Sequence, residues 1–141
     1  MIRTMGIDYI YGRHKELQIK KLLPEIYNQK FRDYGQTQYE TFDFISADNN
    51  IILELKSRRC NYNKYPTTIV GLNKIDIAKE LIEKGKTVKF LFNFLDGLYE
   101  WCDLNQYEIA KGGRTDLIGN RGWKDYAHIK IDNLTLIKSY A

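Results

Sequence analysis

Apolar and polar positions alternate most clearly in residues 87–94, a pattern typical of a β-strand with one buried face. That face carries Val88, Phe90, Phe92 and Phe94. Asp96-Gly97 favours a two-residue hairpin turn, so residues 98–103 are predicted as the return strand. The segments predicted after it are a short helix over 104–110, a Gly-rich stretch over 112–122, and a last strand over 126–131 that residues 134–137 extend.

Two other stretches carry apolar residues at helical spacing. The first begins at Arg13, after an irregular or short extended segment, and Pro24 should end the helix near Leu23 or kink it there. The second runs from Val70 to Lys84, with Gly85 at the position that follows a helix. Its predicted buried stripe is Ile75, Ala78, Leu81 and Ile82. A polar loop over 57–68 precedes this second helix.

Two apolar strands joined by a polar turn lie between these helices. If Asp48-Asn49 form a two-residue loop, Ile45 pairs with Ile52 and Asp43 then lies opposite Glu54. The Cβ atoms of such a pair are about 5 Å apart. The opposite face, predicted as the core side, carries Phe42, Phe44, Ile51, Leu53 and Leu55.

The facing carboxylates suggest a metal site. Like charges directly opposite each other are destabilising, and a divalent cation would remove that cost. Lys56 projects from the same strand face as Glu54 and adds a positive charge, which suits activation of water against a phosphodiester. The alternative is a solvated strand lysine beside carboxylates at a sheet edge.

Asp43 followed by Glu54-Leu55-Lys56 resembles the D-(x)n-E-x-K signature of the PD-(D/E)xK nuclease superfamily, with Phe42 in place of the usual Pro. The resemblance spans about residues 12 to 103. It implies an α/β fold with a restriction-endonuclease-like αββαβ core, a mixed central sheet flanked by helices. It also implies that Asp43, Glu54 and the Leu55 carbonyl bind Mg²⁺, with Mn²⁺ able to substitute, and that Lys56 assists the attacking water.

Two further residues gain candidate roles from this resemblance. Glu16 would be an acidic metal ligand on the first helix, or a first-turn glutamate favoured by the helix dipole. Lys74, at the start of the second helix, would contact the phosphate that is cut, or be ordinary surface charge.

Cations interleaved with aromatic residues form two candidate nucleic-acid-binding clusters, which could equally be solvated surface. The first contains Arg58, Arg59, Lys64 and Tyr65, and the second contains Arg114, Arg121 and Lys124. The chain has 141 residues and a net charge of +4, which is compatible with DNA as a partner and with one domain over residues 1–141. Two unpaired cysteines and the lack of a long apolar run indicate a cytoplasmic protein without a membrane partner.

These features predict a Mg²⁺-dependent DNA endonuclease that recognises DNA structure or ends. Holliday-junction resolvases and small phage-type nucleases are the members of the superfamily that it resembles, and a homodimer would suit cleavage of two strands. One alternative is a catalytically inactive nucleic-acid-binding module on the same fold. Another is a structural or interaction protein, which would have no salt-dependent affinity for DNA.

Overall fold

A computed structural model describes residues 2–35, 42–113 and 123–140, and the side chains of all of these except 2–9, 111–113 and 123–125. The helices are α1 (Ile2–Lys20), α2 (Leu23–Tyr27) and α3 (Leu72–Glu83), and a short 3-10 helix spans Ile131–Asn133. The strands are β1 (Phe31–Asp33), β2 (Phe44–Ser46), β3 (Ile51–Ser57), β4 (Thr67–Gly71), β5 (Thr87–Phe94), β6 (Gly97–Trp101), β7 (Glu108–Gly113), β8 (Trp123–Lys130) and β9 (Thr135–Ser139).

The strands form two sheets. The larger has six strands in the order β1-β2-β3-β5-β6-β9, and the smaller has the order β4-β8-β7. Strands β3 and β5 are parallel, while the other paired strands are antiparallel. The chain returns from β3 to β5 through β4 and α3, the kind of long crossover that a parallel pair needs. The predicted mixed sheet flanked by helices is therefore confirmed.

Both faces of the six-stranded sheet are buried. Helices α1 and α2 cover one face, where the core contains Ile19, Leu23, Phe44, Leu53 and Leu91. Helix α3 and the smaller sheet cover the other face, where the core contains Ile45, Ile52, Ile75, Phe90 and Ile129. The carboxylate side of the β2–β3 hairpin is thus also a core face, as expected for central strands covered on both sides.

Phe42 was placed on the wrong side of the hairpin by the alternation pattern. Its ring packs against Phe90, with ring centroids 6.5 Å apart, in the cluster on the α3 side of the sheet. The chain bends at Asp43, immediately before β2, so the period-2 rule does not extend back to this residue.

The predicted register of the β2–β3 hairpin is confirmed, because Ile45 pairs with Ile52 and Phe44 with Leu53. The turn is wider than predicted. The Asn49 N–H donates to the Ser46 carbonyl at 2.9 Å, and the paired strands stop at Ser46 and Ile51. The predicted loop and the observed loop are both centred between Asp48 and Asn49, so the wider turn leaves the register of the strands unchanged.

The β5–β6 hairpin is also confirmed, but its turn is displaced by one residue. Phe94 pairs with Gly97, which leaves Leu95 and Asp96 as the turn. Gly97 belongs to the strand, and a Cβ atom there would lie 3.1 Å from the backbone oxygen of Lys138 in β9. A close approach of two strands therefore explains this glycine better than the turn does.

The first helix begins much earlier than predicted, since α1 starts at Ile2 and includes most of the segment expected to be irregular. Its apolar residues do not follow one buried stripe: Ile10 is 67% exposed and Leu17 is 45% exposed. The break comes before Pro24, which occupies the first turn of α2, where proline is tolerated.

Two strands occupy segments for which none was predicted. Strand β4 replaces the end of the predicted polar loop and the first two residues of the second predicted helix, and the short helix over 104–110 is replaced by a turn and β7. Both strands pair with β8, so tertiary pairing overrides the local pattern. Residues 135–139 do not extend β8, because β9 joins the edge of the other sheet.

The predicted buried stripe of α3 is only partly correct. Ile75 and Ala78 are buried, but Ile82 is 41% exposed.

Cys60 and Cys102 are free thiols, as predicted. Among the helices in the described ranges, none combines the length and the apolar character that crossing a membrane requires.

Candidate active site

The β2–β3 hairpin places Asp43 and Glu54 side by side. The Asp43 N–H donates to the Leu53 carbonyl at 3.0 Å, and the Asp43 carboxylate accepts the Leu55 N–H at 2.7 Å. Glu54 is 3% exposed, and its carboxyl group is hydrogen-bonded to that of Asp43. Both backbone and side chain therefore fix Asp43 against β3, and the two carboxyl groups share one small volume.

The pair is electrostatically unfavourable without a cation. Burial and then the neighbouring charge and hydrogen bond of Glu54 raise the pKa of Asp43 to about 9, against a smaller opposing effect of the Leu55 N–H. The Glu16 charge raises it slightly further. Unless a cation is bound, the Asp43 carboxyl group therefore keeps its proton at neutral pH.

Two lysines meet at one oxygen of Glu54. Lys74 Nζ lies 3.0 Å from Oε2, and Lys56 Nζ lies 3.5 Å from the same atom. Lys74 is on the first turn of α3, with its ammonium 5.7 Å from the centre of the Phe42 ring. The structure thus brings Lys74 to the carboxylate pair and places it beside Lys56, so Lys74 is not ordinary surface charge.

Glu16 lies near this pair but is engaged elsewhere. Its carboxylate accepts a hydrogen bond from Arg13 at 3.0 Å, and it lines a cleft of about 370 Å³ together with Leu55 and Ser57. It sits near the end of α1, not in the first turn, so a favourable helix-dipole interaction does not explain it. Arg13 is bonded to one of the two carboxylate oxygens of Glu16, Oε2.

The donor set fits a hard divalent cation. Asp43 and Glu54 supply carboxylate oxygens, and the repulsion between them is the cost that a cation removes. Within the described ranges, no three Asp, Glu, His or Cys side chains are grouped closely enough to hold a metal alone. The Leu55 carbonyl and water would complete the shell, and Mg²⁺ commonly retains several waters.

Arg58 and Arg59 follow Lys56 along the chain but differ in their surroundings. Arg58 donates to the Ile69 carbonyl at 2.8 Å and to Thr68 Oγ1 at 3.3 Å, and burial lowers the pKa of its guanidinium. Arg59 is exposed, with its guanidinium 4.0 Å from the centre of the Tyr11 ring on α1. Arg58 is therefore fixed by the fold, whereas Arg59 faces solvent at the rim of the cleft.

The other predicted nucleic-acid contacts lie further out. Lys64 and Tyr65 are exposed on the loop between β3 and β4, with Lys64 Nζ 5.9 Å from the centre of the Tyr65 ring. Arg114 and Arg121 lie outside the described residues. Lys124 is in β8 opposite Gly112, and its side chain likewise lies outside the described part of the chain.

The family model described as "Phage putative PDDEXK endonuclease" matches residues 10–135. The chain belongs to this family. The match includes the whole β2–β3 hairpin, α3 and the smaller sheet, and it confirms the resemblance to PD-(D/E)xK nucleases of phage type. The mixed α/β architecture agrees with the restriction-endonuclease-like core of such proteins. Neither the curated proteins nor the solved structures gave a significant match.

Sequence reasoning missed the residues that hold this PD-(D/E)xK site in shape. Thr68 and Ile69 fix Arg58, and Arg13 bonds both Glu16 and, at 3.4 Å, Asp33. Only the Arg13–Glu16 pair has a local signal, since residues three apart on a helix are neighbours. The contacts of Thr68 and Ile69 with Arg58 have no such signal, because the sequence pattern does not predict that these residues form a strand.

Proposed function

We propose that this chain is a Mg²⁺-dependent endonuclease that hydrolyses phosphodiester bonds in DNA, with Mn²⁺ able to replace Mg²⁺. The observation that carries the proposal is the buried pair Asp43–Glu54 with Lys56 and Lys74 directed at the same carboxylate. Membership of a family of phage endonucleases supports it independently of this geometry.

Each residue of the site has a distinct role in the proposal. Asp43, Glu54 and the Leu55 carbonyl would hold the cation, and Glu16 would join them. A bound divalent cation lowers the pKa of water and stabilises charge that develops on the phosphate. Lys56 orients or deprotonates the attacking water, and Lys74 neutralises charge on the phosphate oxygens.

The substrate in this proposal is DNA recognised by its structure or its ends. The exposed cations Arg59 and Lys64 would contact the phosphate backbone, which positions a nucleic acid without reading its sequence. Arg114, Arg121 and Lys124 are the proposed second contact surface. Cleavage of both strands would favour a homodimer.

A cleavage assay with four substrates tests the proposal. Supercoiled plasmid, linear duplex, single strand and a four-way junction are incubated with the wild type and with Lys56→Ala, in Mg²⁺ and in EDTA. An RNA strand of matching sequence tests the choice of DNA. We expect cleavage only by the wild type with Mg²⁺, and the substrate cut fastest identifies the structure that is recognised.

Two results would count against the proposal. Cleavage that persists in EDTA, or that Lys56→Ala retains in full, would remove the metal-dependent role of this site. If neither protein cuts any substrate but both bind DNA with strong salt dependence, the chain is a binding module on a nuclease fold.

A further inference from the structure

A second cavity lies beside the cleft that Glu16 and Leu55 line, between β4, the loop that precedes it and the end of β5. Its volume is about 410 Å³, within the range of pockets that hold small organic groups. Much of its lining is aromatic or aliphatic and includes Tyr62, Tyr65, Ile69, Phe94 and Ile131. We call this cavity the β4 pocket.

The β4 pocket adjoins the candidate active site. Arg58 and Arg59 line both the pocket and the cleft that contains Glu16 and Leu55, so the two spaces share this part of their walls. No Asp or Glu is among the described residues that line the pocket. A group bound there would therefore meet largely apolar walls, with two arginines on the side shared with the cleft that Glu16 lines.

The aromatic wall is already fixed in place. The Tyr62 ring stacks on Tyr99 with 4.2 Å between centroids and 5° between planes. The Tyr62 hydroxyl donates to the Ile131 carbonyl at 2.8 Å, and its backbone N–H donates to Asp96 at 2.9 Å. By contrast Tyr65 is 59% exposed at the rim, so one aromatic side chain remains available to an incoming ring.

We propose that the β4 pocket receives one unstacked nucleobase of the substrate strand, next to the phosphate that is cut. Aromatic side chains stack on any base, and cations flank the backbone in sites that bind single-stranded nucleic acid. Arg58 and Arg59 would hold the phosphate between the pocket and the cleft. This inference rests on the proposed nuclease function and adds a determinant of specificity to it.

The test is a binding measurement in EDTA, where no cleavage intervenes. Fluorescence anisotropy compares an eight-nucleotide single strand with an abasic strand of the same length, which keeps the phosphates and lacks the bases. A second comparison uses a duplex with one unpaired nucleotide and the fully paired duplex. The proteins are the wild type, Ile69→Trp, which fills the pocket, and Ile109→Trp, a matched control on β7 of the same sheet, where the isoleucine is 62% exposed.

The wild type and Ile109→Trp should bind the base-containing strand about tenfold more tightly than the abasic strand, as stacking of one base permits. Ile69→Trp should lose this preference and keep its affinity for the abasic strand. Tyr65→Ala, an exposed position that the fold does not need, should weaken the preference and provides the test if Ile69→Trp does not fold. A preference for the unpaired nucleotide over the paired duplex would show that the base can come from a duplex.

Equal affinity of the wild type for both strands, or a preference that survives in Ile69→Trp and Tyr65→Ala, would overturn the proposal. These readouts do not depend on catalysis. A protein that binds bases but does not cut would refute the nuclease function alone. A protein that cuts in Mg²⁺ but ignores the bases would refute the pocket alone.

Discussion

Two largely buried glutamates occupy opposite faces of the same sheet, each beside a lysine, yet their surroundings differ. Glu100 accepts hydrogen bonds from the Tyr27 hydroxyl at 2.8 Å and from the Cys102 thiol at 3.2 Å, and Lys89 lies 3.4 Å away. Glu54 also has lysine partners, but it faces the carboxyl group of Asp43. Glu100 thus has three complementary partners, whereas Glu54, besides its two lysines, faces a second acidic group.

The difference separates a structural cluster from the proposed active site. At Glu100 these three partners all stabilise the carboxylate, so the cluster is complete without a ligand. At Glu54 a second acidic group is buried beside the first in a core that could have held an apolar residue, and such a conflict is expected where function requires it. Perturbed carboxyl groups in a cleft are candidates for catalytic sites for the same reason.

The largest difference should appear when each glutamate is made neutral. Glu54→Gln should lower Mg²⁺-dependent cleavage by more than about 100-fold, because even outer partners of metal ligands typically contribute 10–100-fold to affinity or activity. Glu100→Gln should cleave at nearly the wild-type rate. Initial rates on the best substrate, with thermal unfolding to establish that both variants fold, make the comparison. Equal loss of activity in the two variants would show that cleavage requires a buried glutamate at either position and does not depend on the pairing of Glu54 with Asp43.

The lysines give a second comparison. Lys56→Ala should lower kcat by about 100-fold or more, the usual contribution of a group that moves or orients a proton. Lys89→Ala, on the neighbouring strand but on the opposite face, should leave kcat unchanged. Single-turnover rates at saturating Mg²⁺ separate this effect from metal binding. If Lys89→Ala is as slow as Lys56→Ala, both substitutions lower kcat by disturbing the fold, and Lys56 has no specific role in the reaction.

Around Glu100 we expect the reverse: a substitution should lower the stability of the fold and leave cleavage unchanged. Tyr27→Phe removes a hydrogen bond to a charged group and should lower the free energy of unfolding by about 1.5–3 kcal/mol, with cleavage retained. Tyr65→Phe is the control, since this exposed residue should change stability by less than about 0.5 kcal/mol. Urea denaturation measures both. A loss of activity in Tyr27→Phe without a loss of stability would assign this cluster a role in catalysis.

The last expected effect concerns the pH dependence of stability and does not involve cleavage. Because the pKa of Asp43 is raised to about 9 in the folded protein, the folded state binds this proton more tightly than the unfolded chain does. That contribution to stability is complete below the unfolded value of about 3.9 and is lost as pH rises through about 9. In EDTA, Asp43→Asn should therefore gain stability over the wild type as pH increases, by about 1 kcal/mol or more in alkaline solution. Urea midpoints at pH 5, 7 and 9.5 would show the trend, and parallel curves for the two proteins would contradict it.

The sequence predicts the β2–β3 hairpin well because the residues that define it, a polar turn and two flanking apolar segments, are close together in the chain. The centre of the polar turn determines which residues pair, so Ile45 pairs with Ile52 even though the turn itself is wider. Asp43 lies just before β2, outside the paired residues, but its carboxyl group still meets that of Glu54. The α/β class and the β5–β6 hairpin follow from alternation and a turn signal in the same way. Local pattern and turn chemistry are therefore sufficient to bring Asp43, Glu54 and Lys56 together.

The features that the sequence does not predict depend on distant partners. Strands β4 and β7 exist because β8 pairs with both, and no local pattern reports that pairing. Tyr27 and Glu100 meet across 73 positions of the chain. The β4 pocket likewise forms from a loop, a strand and the 3-10 helix that begins at Ile131, which only the fold brings together.

Direct titration of Mn²⁺ into the wild type and into Asp43→Ala tests the central claim, that the paired carboxylates form a cation site. Calorimetry or the signal of free Mn²⁺ reports binding without any substrate, and Glu100→Gln serves as the control. We expect the wild type and Glu100→Gln to bind Mn²⁺, with Mg²⁺ competing, and Asp43→Ala to lose the site. Binding that is absent in the wild type, or unchanged in Asp43→Ala, would contradict the assignment of this pair as the metal site of the nuclease.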